Sequence, residues 1–178
     1  MASINLSLRV FLMYFALIGM AAYWGFNVVS SQVKPTIRQT TEETLVEMAN
    51  LLAEFALPVV QNPQQHQDFS NHVNNFLKRQ YQATIFGVKK EEASIRIYMT
   101  NKSGIVIYDS ASLALGQDYS QWNDVYLTLR GQYGARSSKR IPGDESTSVM
   151  HVAAPVKYRG EIIGVLTVAK SNQSLRPF

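Results

Sequence analysis

The sequence of 178 residues contains no cysteine. This absence excludes disulfide bonds, thiolate metal sites and a cysteine nucleophile, but it leaves the compartment open because a domain of this size can be stable without disulfides. Concentrated basic patches are lacking too. Lys and Arg total 17 against 13 Asp and Glu, and the basic pairs are scattered along the chain. Nucleic acid is therefore not expected as a partner.

Catalytic and metal-binding patterns are also missing. Ser110, His151 and Asp109 supply the residue types of a hydrolytic triad, but no nucleophile-elbow sequence surrounds the serine. The histidines are not spaced as zinc ligands, and Asp144 and Glu145 are too few carboxylates to define a cation site. Neither catalytic residues nor a metal or cofactor are predicted.

One long uncharged run departs from the average composition. Residues 10–29 contain no charged side chain, and a helix of that length spans roughly 30 Å, the hydrocarbon thickness of a bilayer. Tyr23 and Trp24 lie near its end, where aromatic rings favour the interface. We predict an uncleaved transmembrane helix after a cytoplasmic N-terminus, residues 1–9. The alternative is a signal peptide cleaved after Ala21, but the apolar run continues well past that point.

Two helical stretches follow. Residues 31–58 carry apolar side chains at spacings of three and four, and Pro58 is expected to end this long membrane-proximal helix. A second helix is predicted over residues 68–81, with Asp68 as its N-cap. The stripe of the long helix needs a partner beyond one sheet, so a homodimer is expected. Its members are Ile37, Thr41, Thr44, Met48, Leu51, Leu52 and Phe55.

The region 83–170 has the texture of a sheet. In residues 94–100 apolar side chains alternate with Arg96, Tyr98 and Thr100, which predicts a strand with one polar face. Adjacent strands with tight turns imply antiparallel pairing. The predicted fold class is α+β, in which the N-terminal helices lead into a five-stranded antiparallel sheet of the PAS-like kind with flanking helices. The other elements are strands at 105–110, 133–140, 148–157 and 162–170 and a short helix at 122–129 capped by Gly131.

Two segments resemble the single Cache, or PDC, extracytoplasmic sensor domains of bacterial receptors: YMTNKSGIVIYDS (98–110) and VAAPVKYRGEIIGVLTV (152–168). A third, GQDYSQWNDVYLTLRGQYGARS (116–137), looks like the sensor half of a membrane sensor histidine kinase, and blocks at 34–54, 148–156 and 162–170 agree with it.

That resemblance implies a helix in the bacterial inner membrane, a periplasmic sensor domain over 30–176, a second membrane helix and cytoplasmic kinase modules. Residues 171–178 are expected to begin the link to the second membrane helix. No phosphoacceptor-histidine or ATP-lid motif occurs, so this chain is not expected to be an enzyme.

The implied function is to bind a small periplasmic ligand and to signal through the membrane helices to a kinase, which alone would meet the response regulator. Two alternatives remain open. One is an envelope protein–protein interaction module that regulates the same kinase through surfaces at 61–67 and 142–148. The other is the Cache domain of a chemoreceptor or cyclase-type receptor, which shares the outer architecture.

Sensor domains of this type hold a ligand between the sheet and its covering loops. An anion is one candidate class of ligand, and arginine is its preferred donor. The polar face around Arg96 is either solvent-exposed or part of a pocket. The candidate ligand-binding residues are Arg96, Tyr98, Tyr108, Asp109, Trp122, Tyr126, Tyr133, Arg136 and His151.

Asp109 marks a departure from related Cache sensors for di- and tricarboxylates, in which an Arg and a His flank a Leu-Tyr on the second hairpin strand. Here that stretch reads Val106-Ile107-Tyr108-Asp109. The acidic residue argues against carboxylate binding at this point. We expect Asp109 either to accept a hydrogen bond from a ligand hydroxyl or amine, or to stabilise the turn toward Ser110.

Overall fold

The chain divides into two units, Met1–Thr41 and Glu42–Phe178, and a single helix, α1 (Leu6–Gln61), contributes to both. The structure is a computed structural model that describes residues 6–62, 65–85, 87–139, 141–144 and 147–171. In the first unit, Leu6–Val28 is long and apolar enough to cross a membrane, by length and composition. The apolar helix expected at 10–29 is thus present, and its role as an uncleaved anchor stays a prediction.

The second unit is built on a five-stranded antiparallel sheet. After α1 the elements are α2 (His66–Leu77), β1 (Ala83–Ile85), β2 (Val88–Lys90), β3 (Ile95–Asn101), β4 (Val106–Asp109), α3 (Asn123–Thr128), β5 (Gly134–Lys139), β6 (Ser148–Tyr158) and β7 (Glu161–Ser171). The strand order is β4-β3-β7-β6-β5, and β1 and β2 form a separate two-stranded hairpin for which the sequence provided no prediction. The predicted α+β fold is confirmed.

One face of the sheet is covered by α1 and α2. The side chains of α1 that face the sheet are small, with Ala49, Ala53 and Ala56 buried between Leu45 and Val59. Small side chains let a helix approach a sheet closely, which explains why this face is buried. The stripe of large apolar residues predicted for α1 is therefore not the surface of the helix that packs on the sheet.

Much of that predicted stripe is exposed. Leu51 is 61% exposed and Phe55 64%, and Thr44 is exposed as well. Met48 and Leu52 are half-buried at the edge of the core. The spacing of the large apolar residues does place them on one side of α1, but the neighbouring alanine side of the helix is the one that packs on the sheet.

The ends of both helices differ from the prediction. Pro58 does not end α1, which continues to Gln61, and the amide of Asn62 donates to the Pro58 carbonyl. The last turn is retained because it buries Val59, which offsets the cost of a proline inside a helix. Helix α2 begins at His66 rather than at the position after Asp68, which lies inside the first turn and is not the N-cap.

The other face of the sheet is also covered. A second cluster forms where α3 and the preceding loop pack on Tyr98, Val106 and Val165. Tyr98 and Thr100 are fully buried, which rules out the solvent-exposed alternative for that part of the polar face. Gly131 ends the helical region as predicted, with φ of +74°, a conformation that favours glycine.

Candidate ligand-binding site

A buried carboxylate lies at the centre of the polar face. Asp124, on the inner side of α3, has a side chain with no solvent exposure. Its Oδ1 accepts a hydrogen bond from Arg136 Nε at 2.8 Å. Its Oδ2 accepts from the hydroxyl of Tyr98 and from Thr167 Oγ1, the latter at 3.3 Å. Donors from β3, β5 and β7 therefore converge on one anion.

Strand register brings these donors together. Arg136 is paired with His151 across β5 and β6, and Tyr98 is paired with Thr167 across β3 and β7. Because residues directly opposite each other in an antiparallel pair share a face, all four side chains project toward α3.

Gly134 allows α3 to approach β5 closely. A Cβ atom at this position would lie 2.1 Å from Thr128 Oγ1 and 2.2 Å from the backbone oxygen of Asp124. No side chain fits in that space, so a glycine at the start of β5 is what lets Asp124 reach the sheet.

His151 is a neutral member of this cluster. Its Nδ1 lies 3.1 Å from a terminal guanidinium nitrogen of Arg136, and its Nε2 lies 3.0 Å from Ser138 Oγ. A guanidinium only donates, so Nδ1 accepts and the ring proton resides on Nε2. Burial, helped by the nearby positive charge of Arg136, lowers the pKa of His151 to about 4.

Tyr98 is also held neutral. Burial and the adjacent carboxylate of Asp124 raise the pKa of its hydroxyl far above the ordinary value. The hydroxyl therefore acts as a donor to Asp124. With His151 uncharged, the cluster contains one cation, Arg136, and one anion, Asp124, and its net charge is zero.

Aromatic side chains form the wall of the cluster. The guanidinium carbon of Arg136 lies 4.0 Å from the ring of Trp122, which stacks on Tyr119 with 3.6 Å between ring centroids. Tyr119 in turn meets Tyr98 edge to face. Trp122 is half-buried, so it serves both as core and as the boundary of the polar space.

Arg96 and Asp109 form a separate pair at the side of this cluster. Arg96 donates twice to the carboxylate, at 2.8 and 2.6 Å, and the backbone amides of Ala111, Leu113 and Ala114 donate as well. Burial alone would raise the pKa of Asp109, but these donors outweigh it and lower that pKa. A carboxylate offers about four acceptor positions, so this one is fully used. The geometry therefore favours the expectation that Asp109 stabilises the turn toward Ser110 over the expectation that it binds a ligand.

Three predicted site residues lie elsewhere. Tyr108 is opposite Met99 in the hairpin and faces the helical side of the sheet, where it packs edge to face on Phe69. Tyr126 stacks with Arg130, whose guanidinium donates to the carbonyl of Tyr126 near the end of α3. The remaining residue, Tyr133, is 54% exposed and donates to Glu42.

The sequence interpretation missed several members of the cluster. Asp124 lies at its centre, and Ser138, Thr167 and Tyr119 complete it. One signal was available for Asp124. It shares the inner side of α3 with the buried residues Val125 and Thr128, and an acidic residue on such a face calls for a partner.

The comparisons with known proteins can now be placed beside this geometry. The sequence is 43% identical over 174 residues, 97% of this chain, to the sensor protein CreC of Escherichia coli (strain K12). The chain is a homologue of CreC. The predicted resemblance to the sensor half of this histidine kinase is confirmed, and the chain spans 37% of the length of CreC. No protein-family model matches the chain.

Two solved structures share the fold of this CreC homologue. The sensor domain of the V. cholerae histidine kinase DctB has a TM-score of 0.56 and 19% identity, covering 92% of this chain and 59% of that chain. The ligand-binding domain of the Campylobacter jejuni chemoreceptor Tlp3, in complex with 4-methylisoleucine, has a TM-score of 0.50 and 16% identity, covering 83% and 56%. These likenesses show a Cache-like sensor fold.

Proposed function

We propose that this chain is the extracytoplasmic signal-sensing domain of a membrane-bound two-component sensor histidine kinase. Homology to CreC, the Cache-like fold and the apolar helix Leu6–Val28 support the proposal. The protein resides in the bacterial inner membrane with its main domain in the periplasm. Its signal passes through the membrane helices to a kinase that this sequence does not contain, and only that kinase contacts the response regulator.

The ion pair between Arg136 and Asp124 is the observation that carries the ligand-binding part of the proposal. Both side chains are largely withdrawn from water, at 18% and 0% exposure, and Asp124 belongs to α3, a helix of only six residues. A ligand that inserts between them must move α3, because the donors around Asp124 are already occupied. Binding would therefore favour one arrangement of α3 over another, and differential affinity of this kind is what a sensor requires.

The charges of the cluster select a class of ligand. A simple anion could pair with Arg136 only by depriving the buried carboxylate of Asp124 of its cationic partner, and only the neutral hydroxyls of Tyr98 and Thr167 would then remain as donors to it. A small zwitterion avoids this loss, because its carboxylate pairs with Arg136 while its ammonium pairs with Asp124. We therefore favour a small zwitterion such as an amino acid over the simple anion that the sequence raised as one candidate class of ligand. The related Tlp3 domain was solved with one, 4-methylisoleucine.

A homodimer through α1 is part of the same proposal. Thr44, Met48, Leu51 and Phe55 are spaced by four, three and four residues, the repeat of a coiled-coil seam, and three of the four are exposed. Because α1 already buries its alanine face against the sheet, this second stripe remains available for a partner helix.

A thermal-shift measurement tests the ligand site. The full chain in phosphatidylcholine nanodiscs is heated with each of the protein L-amino acids, with matched dicarboxylates and with matched amines. A zwitterion at a hundredfold excess over its Kd is expected to raise Tm by about 5 °C. The shift should vanish in Arg136→Gln and persist in Arg130→Ala, which alters an exposed arginine outside the cluster. A shift that survives Arg136→Gln would refute this site.

An envelope-protein input is the second candidate function. The loop fastened by Asp109 displays Leu113 and Leu115 with 71% and 65% of their surface exposed, and a rigid apolar projection suits a protein partner. The surfaces predicted at 61–67 and 142–148 lie partly outside the described residues. Cross-linking in cells that depends on Leu113 and Leu115, with signalling intact in Arg136→Gln, would favour this candidate.

A further inference from the structure

A concave feature lies on the opposite side of the sheet from the polar cluster. It is a cavity of about 470 Å³ between α1 and α2, named here the α1–α2 groove. Ile97 lines its floor, whereas the next residue of β3, Tyr98, belongs to the polar cluster. Successive strand residues point to opposite faces, so the two sites are separated by the thickness of the sheet.

The groove has the size and lining of a ligand site. Its floor is formed by buried apolar side chains, including Phe69 and Val73, and its rim by Phe55 and Phe76, which are 64% and 39% exposed. A volume of about 300–1,000 Å³ is usual for pockets that bury small ligands. Two phenylalanines beside an apolar cavity expose surface that an apolar occupant would cover.

The mouth of the groove is acidic. Asp68 and His72 lie one turn apart on α2 and both line the opening. Within the described part of the chain, the carboxylate of Asp68 forms no ion pair. From Gln39 to Leu77 the sequence holds five acidic residues and no lysine or arginine, although the whole chain has a net charge of +4. This stretch, which lies between Arg38 and Lys78, therefore has a negative net charge, and Asp68 is its one carboxylate in the lining of the groove.

We propose that the α1–α2 groove binds a small cationic amphiphile, with its apolar part on Phe69, Val73 and Ile97 and its cationic group at Asp68. Charge complementarity decides the class of occupant. A fully apolar molecule would leave the carboxylate of Asp68 without an ionic partner, and an anionic molecule would be repelled by it. Such a ligand bridges the last turns of α1 and the first turns of α2. The site is independent of the zwitterion site proposed above.

Isothermal titration with octyltrimethylammonium below its micellar concentration tests this site. The full chain is held in phosphatidylcholine nanodiscs, and empty nanodiscs provide the blank. Octanesulfonate, with the same chain and opposite charge, and tetramethylammonium, without the chain, are the comparison ligands. We expect saturable binding of octyltrimethylammonium alone. Asp68→Asn should weaken it about threefold, as expected for an exposed ion pair, and Asp68→Lys should weaken it more.

A variant of the groove rim measures how much apolar contact contributes to the binding affinity, separately from the charge of Asp68. Phe76→Ser changes an exposed side chain of α2 that is not part of the proposed dimer stripe, and it should weaken binding about tenfold because apolar contact area is lost. Glu47→Gln, which changes an exposed carboxylate of α1 outside the lining, should leave the affinity unchanged. Equal binding of octanesulfonate, or unaltered affinity in Asp68→Asn and Asp68→Lys, would overturn the proposal. Binding that appears only when Leu51→Ser separates two copies would also overturn it, because the groove would then be filled by the second copy.

Discussion

The guanidinium of Arg136 and the carboxylate of Asp124, 2.8 Å apart, tie the edge strand β5 to α3 through a buried ion pair. Buried pairs are asymmetric in their energetics. Their net contribution is small because both charges lose their hydration, but removal of one partner leaves the other charge stranded. This small net contribution is compatible with the movement of α3 that the proposed ligand binding requires.

This asymmetry leads to a prediction for a double-mutant cycle. Asp124→Ala should lower the free energy of unfolding by about 3–5 kcal/mol, because Arg136 and the hydroxyl of Tyr98 lose their shared acceptor. The double variant with Asp124→Leu and Arg136→Met should be less destabilised than the sum of its single variants. Urea denaturation of the full chain in nanodiscs measures the effect.

The control for this cycle is Glu47→Gln, an exposed carboxylate on α1, which should leave the urea midpoint unchanged. Additive losses in the double variant would show that Arg136 and Asp124 are not coupled.

Acid should destabilise the domain through His151. Burial and the charge of Arg136 lower the pKa of His151 in the folded state to about 4, whereas in the unfolded chain the side chain protonates near the ordinary histidine pKa of 6.5. Between these values the unfolded state binds more protons, so stability falls as pH decreases from 6.5 toward 4, by at most about 1.4 kcal/mol per pH unit. Above pH 6.5 the term is constant.

Thermal denaturation from pH 7.5 to 4.5, with wild type and His151→Gln side by side, measures this term. The variant should show a flatter decline over the same window. Parallel profiles for wild type and His151→Gln would contradict the assignment of a neutral buried His151.

The two faces of α1 should respond oppositely to substitution. Ala53→Leu places a larger side chain against the sheet and should lower the free energy of unfolding by about 1–3 kcal/mol through overpacking. Leu51→Ser, at a position 61% exposed, should barely change the stability of one copy but should weaken the dimer. Light scattering and sedimentation in nanodiscs or neutral detergent give the oligomeric state. A monomeric wild type would contradict the dimer.

Local patterns were sufficient for much of the fold. Alternation in residues 94–100 and the glycine at position 131 each depend on neighbours in the chain, and the predicted strands and cap appear within one or two residues. The uncharged N-terminal run likewise identified a helix of membrane-spanning length by composition alone.

The site depended on contacts between distant parts of the chain. Tyr98 faces α3 but Tyr108 does not, because hairpin register places Tyr108 opposite Met99, next to an irregularity at Met99/Thr100. Asp124 is the centre of the cluster because three strands place hydrogen-bond donors around it, and this convergence depends on the tertiary fold.

The sequence by itself determined the membrane-length helix and the five strands of the main sheet, since each follows from spacing along a few residues. Tertiary structure decided that α1 packs through its alanines, that Asp109 fastens a loop and that Arg136 is neutralised from α3. The physical reason is that a buried charge or a buried helix face needs a partner. In this fold the partners come from parts of the chain that are distant in sequence, so local patterns do not identify them.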